Sequence, residues 1–483
     1  MSSQLEQNIF LEQEQERREN ENENERLILF SDGVIAFAIT VAAIAIRIPS
    51  DIDKLLDPNV LTQILLRCSM YIIAFLIVAA SWNDHHTIFH HIKKNNIILV
   101  ILNFVYLVSI VVIPIGLFLM GSGSGLLMAF SSDNQGITSF LQDKQGEITA
   151  DVIVGALLFV GSQFIAGLSL ALTWWYASHQ DRLFDRSLPA KFVRYTLVRL
   201  ALHPVSFLLS LIVLIILALS NATVYVMLGG LGIIILFLFV RWIFLRIYRN
   251  HLNTTLGSTD IGRIQLFSDA VFGVAITIAI AQIEFPSLGS DVRLEDVKNA
   301  VESLSGYWPL LHTYLIGFVI VGISWLLHYH LFHFIRRHDP LLITLNFCFL
   351  LSVILMFIPI KLYADNWDKA LLKPDLFFGL WQVMASFFLL AAWLYAKYKK
   401  PHASAPRLLK READPTRVRQ FNIIILCNLP IFVILTLATV FFTSFMSPRI
   451  YLGLYLLMLG SVWLFAHLWT MTHPQKITSQ QLS

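Results

Sequence analysis

RLILFSDGVIAFAITVAAIAIRIP, residues 26–49, and RIQLFSDAVFGVAITIAIAQIEFP, residues 263–286, are two versions of one apolar, helix-length segment. A constant offset of 237 (263 − 26) relates Arg, Phe, Ser, Asp, the Ala-Ile-Thr run and the closing Pro. Near-copies at that distance indicate tandem structural repeats. Each copy carries a carboxylate, Asp32 or Asp269, near the start of a span that is otherwise apolar. A charge inside such a span costs about 2.5–3.5 kcal/mol at a helix centre, so each Asp needs a functional or structural reason.

Working outward, the whole chain has the composition of a bilayer protein. Of its 483 residues 56% are hydrophobic and 14% charged, and the mean hydropathy is +0.67. Soluble globular domains carry about 25% charged residues. Twelve apolar stretches are long enough to cross a bilayer: 27–47, 63–83, 97–119, 151–175, 198–219 and 223–245, then 263–284, 311–331, 340–361, 375–397, 421–443 and 450–470. The expected fold is therefore an all-α polytopic membrane protein of two six-helix repeats. An even helix count makes the repeats parallel.

Alternate connections are basic. They hold Lys93 and Lys94, Arg182 to Arg199, Arg241 to Arg249, Arg336 and Arg337, and Lys397 to Arg419, whereas the opposite loops are acidic or mixed. By the positive-inside rule both termini are cytoplasmic. The expected organisation is an acidic, disordered arm at 1–25, repeat one at 26–246, a linker at 247–262, repeat two at 263–470 and a tail at 471–483. Cys68, Cys348 and Cys427 lack the spacing of a disulfide frame or a zinc site.

The second and third helices echo one another at an offset of 243 (325 − 82). Trp82 and His85 match Trp325 and His328, and Asn103 matches Asn346. Arg26 and Asp32 are six residues apart and point about 120° apart around a helix, so their partners lie on other helices. A network of Arg26, Phe30, Ser31, Asp32, Trp82, His85 and Asn103, repeated as Arg263, Phe267, Ser268, Asp269, Trp325, His328 and Asn346, offsets the desolvation of the Asp and braces the first helix. A direct ion site at the Asp residues, or a proton relay through His85 and His328, stands beside that reading.

Gly33, Phe37, Thr40 and Ile44 form one stripe on the first helix, with Ala270, Val274, Thr277 and Ala281 as counterparts. Such a stripe packs a core or lines a path with an apolar constriction. Histidines are dense at 85–91 and 328–338, but no carboxylate recurs at a fixed offset, so no metal site is expected. No nucleotide-binding glycine loop or catalytic set occurs, which argues against an enzyme, a cofactor or a nucleic-acid partner.

The doubled Arg-x-x-x-Phe-Ser-Asp signature, with the Trp, His and Leu-Asn positions that follow it, resembles the transmembrane protein 175 family of potassium channels. That resemblance implies a homodimer in the bilayer, with two copies of each first helix around a central pore. It puts the constriction at Phe37 and Val274 and a hydroxyl layer at Thr40 and Thr277. Phe37 departs from the bulky aliphatic residue usual there. The implied function is a potassium-permeable cation channel, in the plasma membrane of a prokaryote or the endosomal or lysosomal membrane of a eukaryote. A secondary transporter of two six-helix repeats, or a proton-permeable channel, are the alternatives.

Overall fold

Length and hydropathy of the spans dictate helices, because a backbone in lipid must satisfy its hydrogen bonds within one segment. The computed structural model describes residues 24–46, 57–122, 150–180, 183–185, 187–219, 240, 243, 261–281, 296–365, 372–399, 408–410, 414–441 and 448–472. The helices are α1 (24–41), running into a 3₁₀ turn at Ala42–Ala45, then α2 (Pro58–His90), α3 (Ile97–Ser122), α4 (Ala150–Ser178) and α5 (Ala190–Leu219). They continue as α6 (Ile261–Ala281), α7 (Asp296–Phe334), α8 (Pro340–Ile354), α9 (Phe357–Asp365), α10 (Leu372–Tyr398), α11 (Pro415–Phe441) and α12 (Pro448–Thr472).

Among the described residues, eleven stretches are long and apolar enough to cross a membrane. Of the expected span at 223–245 only residues 240 and 243 are described, and residues 1–23 of the expected arm, 247–260 of the expected linker and the tail beyond Thr472 lie outside the described residues. The chain separates into two compact units, 1–46 with 58–270 and 47–57 with 271–483, and the division falls inside α6.

The helix bounds depart from the apolar stretches. The second apolar stretch ends at residue 83, yet α2 continues to His90. Its added polar residues are held by neighbours: Asp84 pairs with Arg199 at 3.4 Å and His85 bonds Asn103. The expected helix at 340–361 is broken at Leu355–Met356 into α8 and α9. Pro359 clashes with the carbonyl four residues back, that of Leu355, and cannot donate to it. Pro114 leaves α3 continuous. The difference lies in the neighbouring helix, where the Trp381 Nε1 donates to the Ser352 carbonyl at 2.9 Å, at the break.

Small residues set the closest approaches. A Cβ on Gly116 of α3 would lie 2.6 Å from the Phe159 amide nitrogen of α4, so only glycine allows this backbone contact. In unit two Gly379 makes room for a side chain instead, since an added Cβ would lie 2.5 Å from the Thr436 hydroxyl.

A short antiparallel bridge closes the basic side of each unit. Ile92 pairs with Phe184, the Lys93 amide donating to Leu183 at 2.9 Å and the Asp185 amide to His91 at 3.1 Å. Ile335 pairs with Leu409, the Arg336 amide donating to Leu408 at 2.7 Å and the Lys410 amide to Phe334 at 2.9 Å. Behind each bridge stands a fully buried tryptophan. Trp174 packs edge-on against Phe184 and Phe192, and Trp393 lies against Phe334 and Phe421.

Candidate functional site

Asp32 is only 2% exposed, so its charge must be met inside the protein. Its Oδ1 accepts from Trp82 Nε1 at 2.9 Å and from Arg263 Nη2 at 2.8 Å, and its Oδ2 accepts from Arg263 Nε at 3.1 Å. The third arm of the guanidinium, Nη1, donates to the His86 carbonyl at 3.1 Å. This is a bidentate fork between a carboxylate on α1 and an arginine on α6, the geometry in which Arg outperforms Lys. Phe267, one turn beyond Arg263, lays its ring on Trp82 with centroids 4.5 Å apart, and His86 stacks there at 5.1 Å. The carboxylate, the guanidinium and the indole are thereby sealed together.

Ser31, next to Asp32 but pointing elsewhere, belongs to a second network. Its hydroxyl donates to the Leu27 carbonyl at 2.7 Å and accepts from Asn103 Nδ2 at 2.8 Å. Asn103 Oδ1 in turn accepts from His85 Nε2 at 2.9 Å. The His85 ring lies between Phe89 and Tyr106. Unit two repeats this part, with His328 Nε2 donating to Asn346 Oδ1 at 2.8 Å and its ring against Phe332 and Phe349.

The single network expected from spacing therefore divides in two. Trp82 and Arg263 hold Asp32, whereas His85 and Asn103 serve Ser31. Arg263, grouped by sequence with its own repeat, reaches the Asp of the other. The two copies also differ in exposure. Trp82 is buried but Trp325 is 37% exposed, and Phe267 is buried but Phe30 is 49% exposed. Phe30 rests on Phe104 at 5.7 Å. Arg26 is exposed, while Ser268 is buried and Asp269 half-buried.

Along the stripe, Phe37 is 56% exposed, Ile44 is exposed and Gly33 is half-buried. Ala270 and Val274 are half-buried and Thr277 is exposed, its hydroxyl donating to the Val274 carbonyl at 2.8 Å. Thr40 departs from its counterpart. It is fully buried and its hydroxyl is turned back to the Ala36 carbonyl at 2.5 Å. The side chain of Ala281 lies outside the described residues. Among the described residues, no three His, Cys, Asp or Glu side chains are grouped to hold a metal.

Beyond the spans the electrostatics are local. Burial, with His90 adding to it, lowers His91 to about 4 against the opposing pull of Asp185. Burial works to raise the Asp339 carboxyl, but hydrogen bonds from Lys399, Tyr395 and the Leu342 amide, with the Lys399 charge, outweigh it and hold it below its ordinary range.

Spacing around the Arg-x-x-x-Phe-Ser-Asp motif missed a clasp at the start of the third helix of each unit. Asn96 caps α3 through the Leu99 amide at 3.0 Å and donates to the Tyr176 hydroxyl at 2.9 Å. Asp339 caps α8 through the Leu342 amide at 2.9 Å and accepts from Tyr395 and Lys399. A signal was present, since Trp-x-Tyr-Ala occurs at 174–177 and again at 393–396.

Comparison with known proteins falls on the same residues. A family model described as the endosomal/lysosomal potassium channel TMEM175 matches 26–114 and 263–359. A potassium channel of Streptomyces collinus is 28% identical over 160 residues, 33% of this chain and 74% of its own. A potassium channel of Chamaesiphon minutus is 30% identical over 156 residues, 32% of this chain and 72% of its own. The human endosomal/lysosomal proton channel TMEM175 is 23% identical over 401 residues, 77% of this chain and 72% of its own. Both matched segments begin at the arginine of the doubled motif, and the chain belongs to the TMEM175 family of membrane ion channels.

Proposed function

We propose that the protein is a potassium-permeable cation channel whose pore is lined by α1 and α6 and narrows at Phe37 and Val274. The observation that carries this reading is the 56% exposure of Phe37, one and a half turns past a carboxylate locked from behind by Arg263 and Trp82. Asp32 has both oxygens engaged and is braced rather than offered to an ion. The exposed apolar face is left for the ion path, with Gly33, Ile44, Ala270 and Ala281 along it. Permeant potassium sheds part of its water at the phenyl ring and Val274. Thr277 supplies a hydroxyl oxygen beside the constriction, and Thr40, buried in the single chain, supplies another when its side chain turns from the Ala36 carbonyl toward the path.

The pore is completed by a second copy. Within the chain, Arg263 and Phe267 engage Asp32 and Trp82, a head-to-tail contact between unlike surfaces, which closes as a ring when repeated. Arg26 and Phe30, the matching side chains on α1, are exposed, as is Trp325. In a homodimer Arg26 reaches the partner subunit's Asp269 and Phe30 covers the partner subunit's Trp325, giving four pore helices. The Streptomyces relative supports this count, since 160 aligned residues are 74% of its length, so it is about the size of one six-helix repeat. Both termini are cytoplasmic in this arrangement. The membrane is the plasma membrane in a prokaryote and the endosomal or lysosomal membrane in a eukaryote.

The test is F37A combined with V274A in reconstituted bilayers. Widening the constriction raises potassium current, and an unchanged current refutes the gate. The human relative favours a second reading, proton permeation, because its alignment covers most of this chain. A reversal potential that follows the pH gradient and ignores the potassium gradient selects that reading. Saturable coupled flux without single-channel events selects a transporter instead.

A further inference from the structure

Phe37 is followed by a change of winding that the second copy of the helix lacks. α1 is α-helical to residue 41, 3₁₀ over Ala42–Ala45, and extended at Ile46, whose amide donates to Ala43 at 3.0 Å. α6 runs as an α-helix through Ala281, the position matching Ile44. Where a helix tightens from i+4 to i+3 bonding one carbonyl is passed over, and an α-helix that ends at residue 41 puts Ile39 at that step. Ile39 is buried, so no solvent replaces the lost donor.

Tyr71 of α2 supplies it. Its side chain is fully buried and its hydroxyl donates to the Ile39 carbonyl at 2.9 Å. The ring rests against Phe75 at 6.4 Å, and the pair Tyr314 and Phe318 repeats that contact at 6.3 Å in α7. Among the described residues, however, Tyr314 has no hydrogen-bond partner, and α6, the counterpart of α1, stays α-helical through Ala281. One tyrosine thus marks both copies, and it is engaged where the helix changes its winding.

We propose that Tyr71 is a positioning residue for conduction, which holds the far end of α1 in its 3₁₀ form and so sets which side chains beyond Phe37 face the ion path. An α-helix advances 100° and 1.5 Å per residue, a 3₁₀-helix 120° and about 2.0 Å. Converting the four residues Ala42–Ala45 from one to the other turns the chain beyond them by about 80° and moves it by about 2 Å. Ile44, an exposed residue inside this joint, is swung with it. Loss of the Tyr71 hydroxyl leaves Ile39 to backbone donors and favours the α form, in which the Ala43 amide bonds its carbonyl. This inference rests on the reading that α1 lines the pore.

The experiment uses the full-length, reconstituted channel with Cys68, Cys348 and Cys427 changed to Ser. I44C is added, and its modification rate by a methanethiosulfonate reagent is read as block of current. Y71F is expected to change that rate about tenfold and to alter open probability, whereas Y314F changes neither. A43P removes the amide that Ile39 needs in the α form and clashes with its carbonyl there. Added to Y71F, it restores the parental rate. An I44C rate indifferent to Y71F, an equal effect of Y314F, or no rescue by A43P overturns the proposal. F37C separates the two readings. If its modification leaves current untouched the pore reading fails, and if it blocks current while I44C ignores Y71F only the Tyr71 proposal fails.

Discussion

Removing Arg263 is the most informative perturbation of the brace. R263M withdraws two charge-assisted hydrogen bonds from Asp32, each worth about 1.5–3 kcal/mol, and one from the His86 carbonyl. Asp32 is left with Trp82 as its bonding partner in a site where neither side chain of the pair exceeds 8% exposure. Solvent screening is therefore small, and the expected loss is about 3–5 kcal/mol, the usual cost of stranding a buried charge. D32N strands Arg263 in the same way and costs a similar amount, although its amide oxygen still serves Trp82. The double variant buries no unpaired charge, and its cost falls to about 1–3 kcal/mol. Equilibrium unfolding in detergent therefore shows a coupling energy of at least about 3 kcal/mol between the two sites. R263K keeps the charge but loses the fork and falls between wild type and R263M. Single losses that add in the double variant to within about 0.5 kcal/mol refute a direct pair.

Two further outcomes follow from the same geometry. R26Q is expected to shift the dimer toward monomer, seen by light scattering in detergent, without lowering the stability of the monomer, because Arg26 is exposed in the single chain. A dimer unaffected by R26Q removes Arg26 from the interface. His91 supplies a pH dependence. Its folded value of about 4 lies below the unfolded value near 6.5, so the unfolded chain binds more protons between them. Stability is full above about pH 6.5 and falls as pH drops toward 4. H91Q flattens that window in thermal unfolding profiles, and an unchanged slope removes His91 as its source.

Different features were legible for different reasons. Span length and hydropathy show the helices directly, because each apolar run has to satisfy its own backbone in lipid. Where a helix ends was less legible. The apolar stretch closes at residue 83, whereas α2 continues to His90, with Arg199 and Asn103 beside Asp84 and His85. The α8–α9 break was also hidden, since Pro114 and Pro359 look alike in sequence, and it is Trp381 that bonds the Ser352 carbonyl at the break. The clasp was legible in principle through Trp-x-Tyr-Ala, but its offset of 219 (393 − 174) differs from those of the first three helices.

By itself the sequence determined the helical membrane class, the doubled Arg-x-x-x-Phe-Ser-Asp motif and the apolar stripe that follows it. These are local properties, written in length, hydropathy and the 3.6-residue period. Only the tertiary structure decided that Asp32 takes Arg263 from 231 residues away and leaves His85 to Ser31. Only it decided that Thr40 is buried while Thr277 is exposed, and that Tyr71 meets a carbonyl where α1 changes its winding. Spacing along one helix fixes the direction in which a side chain points. What it meets there depends on which helix packs alongside, and identical motifs in two settings therefore acquire different partners.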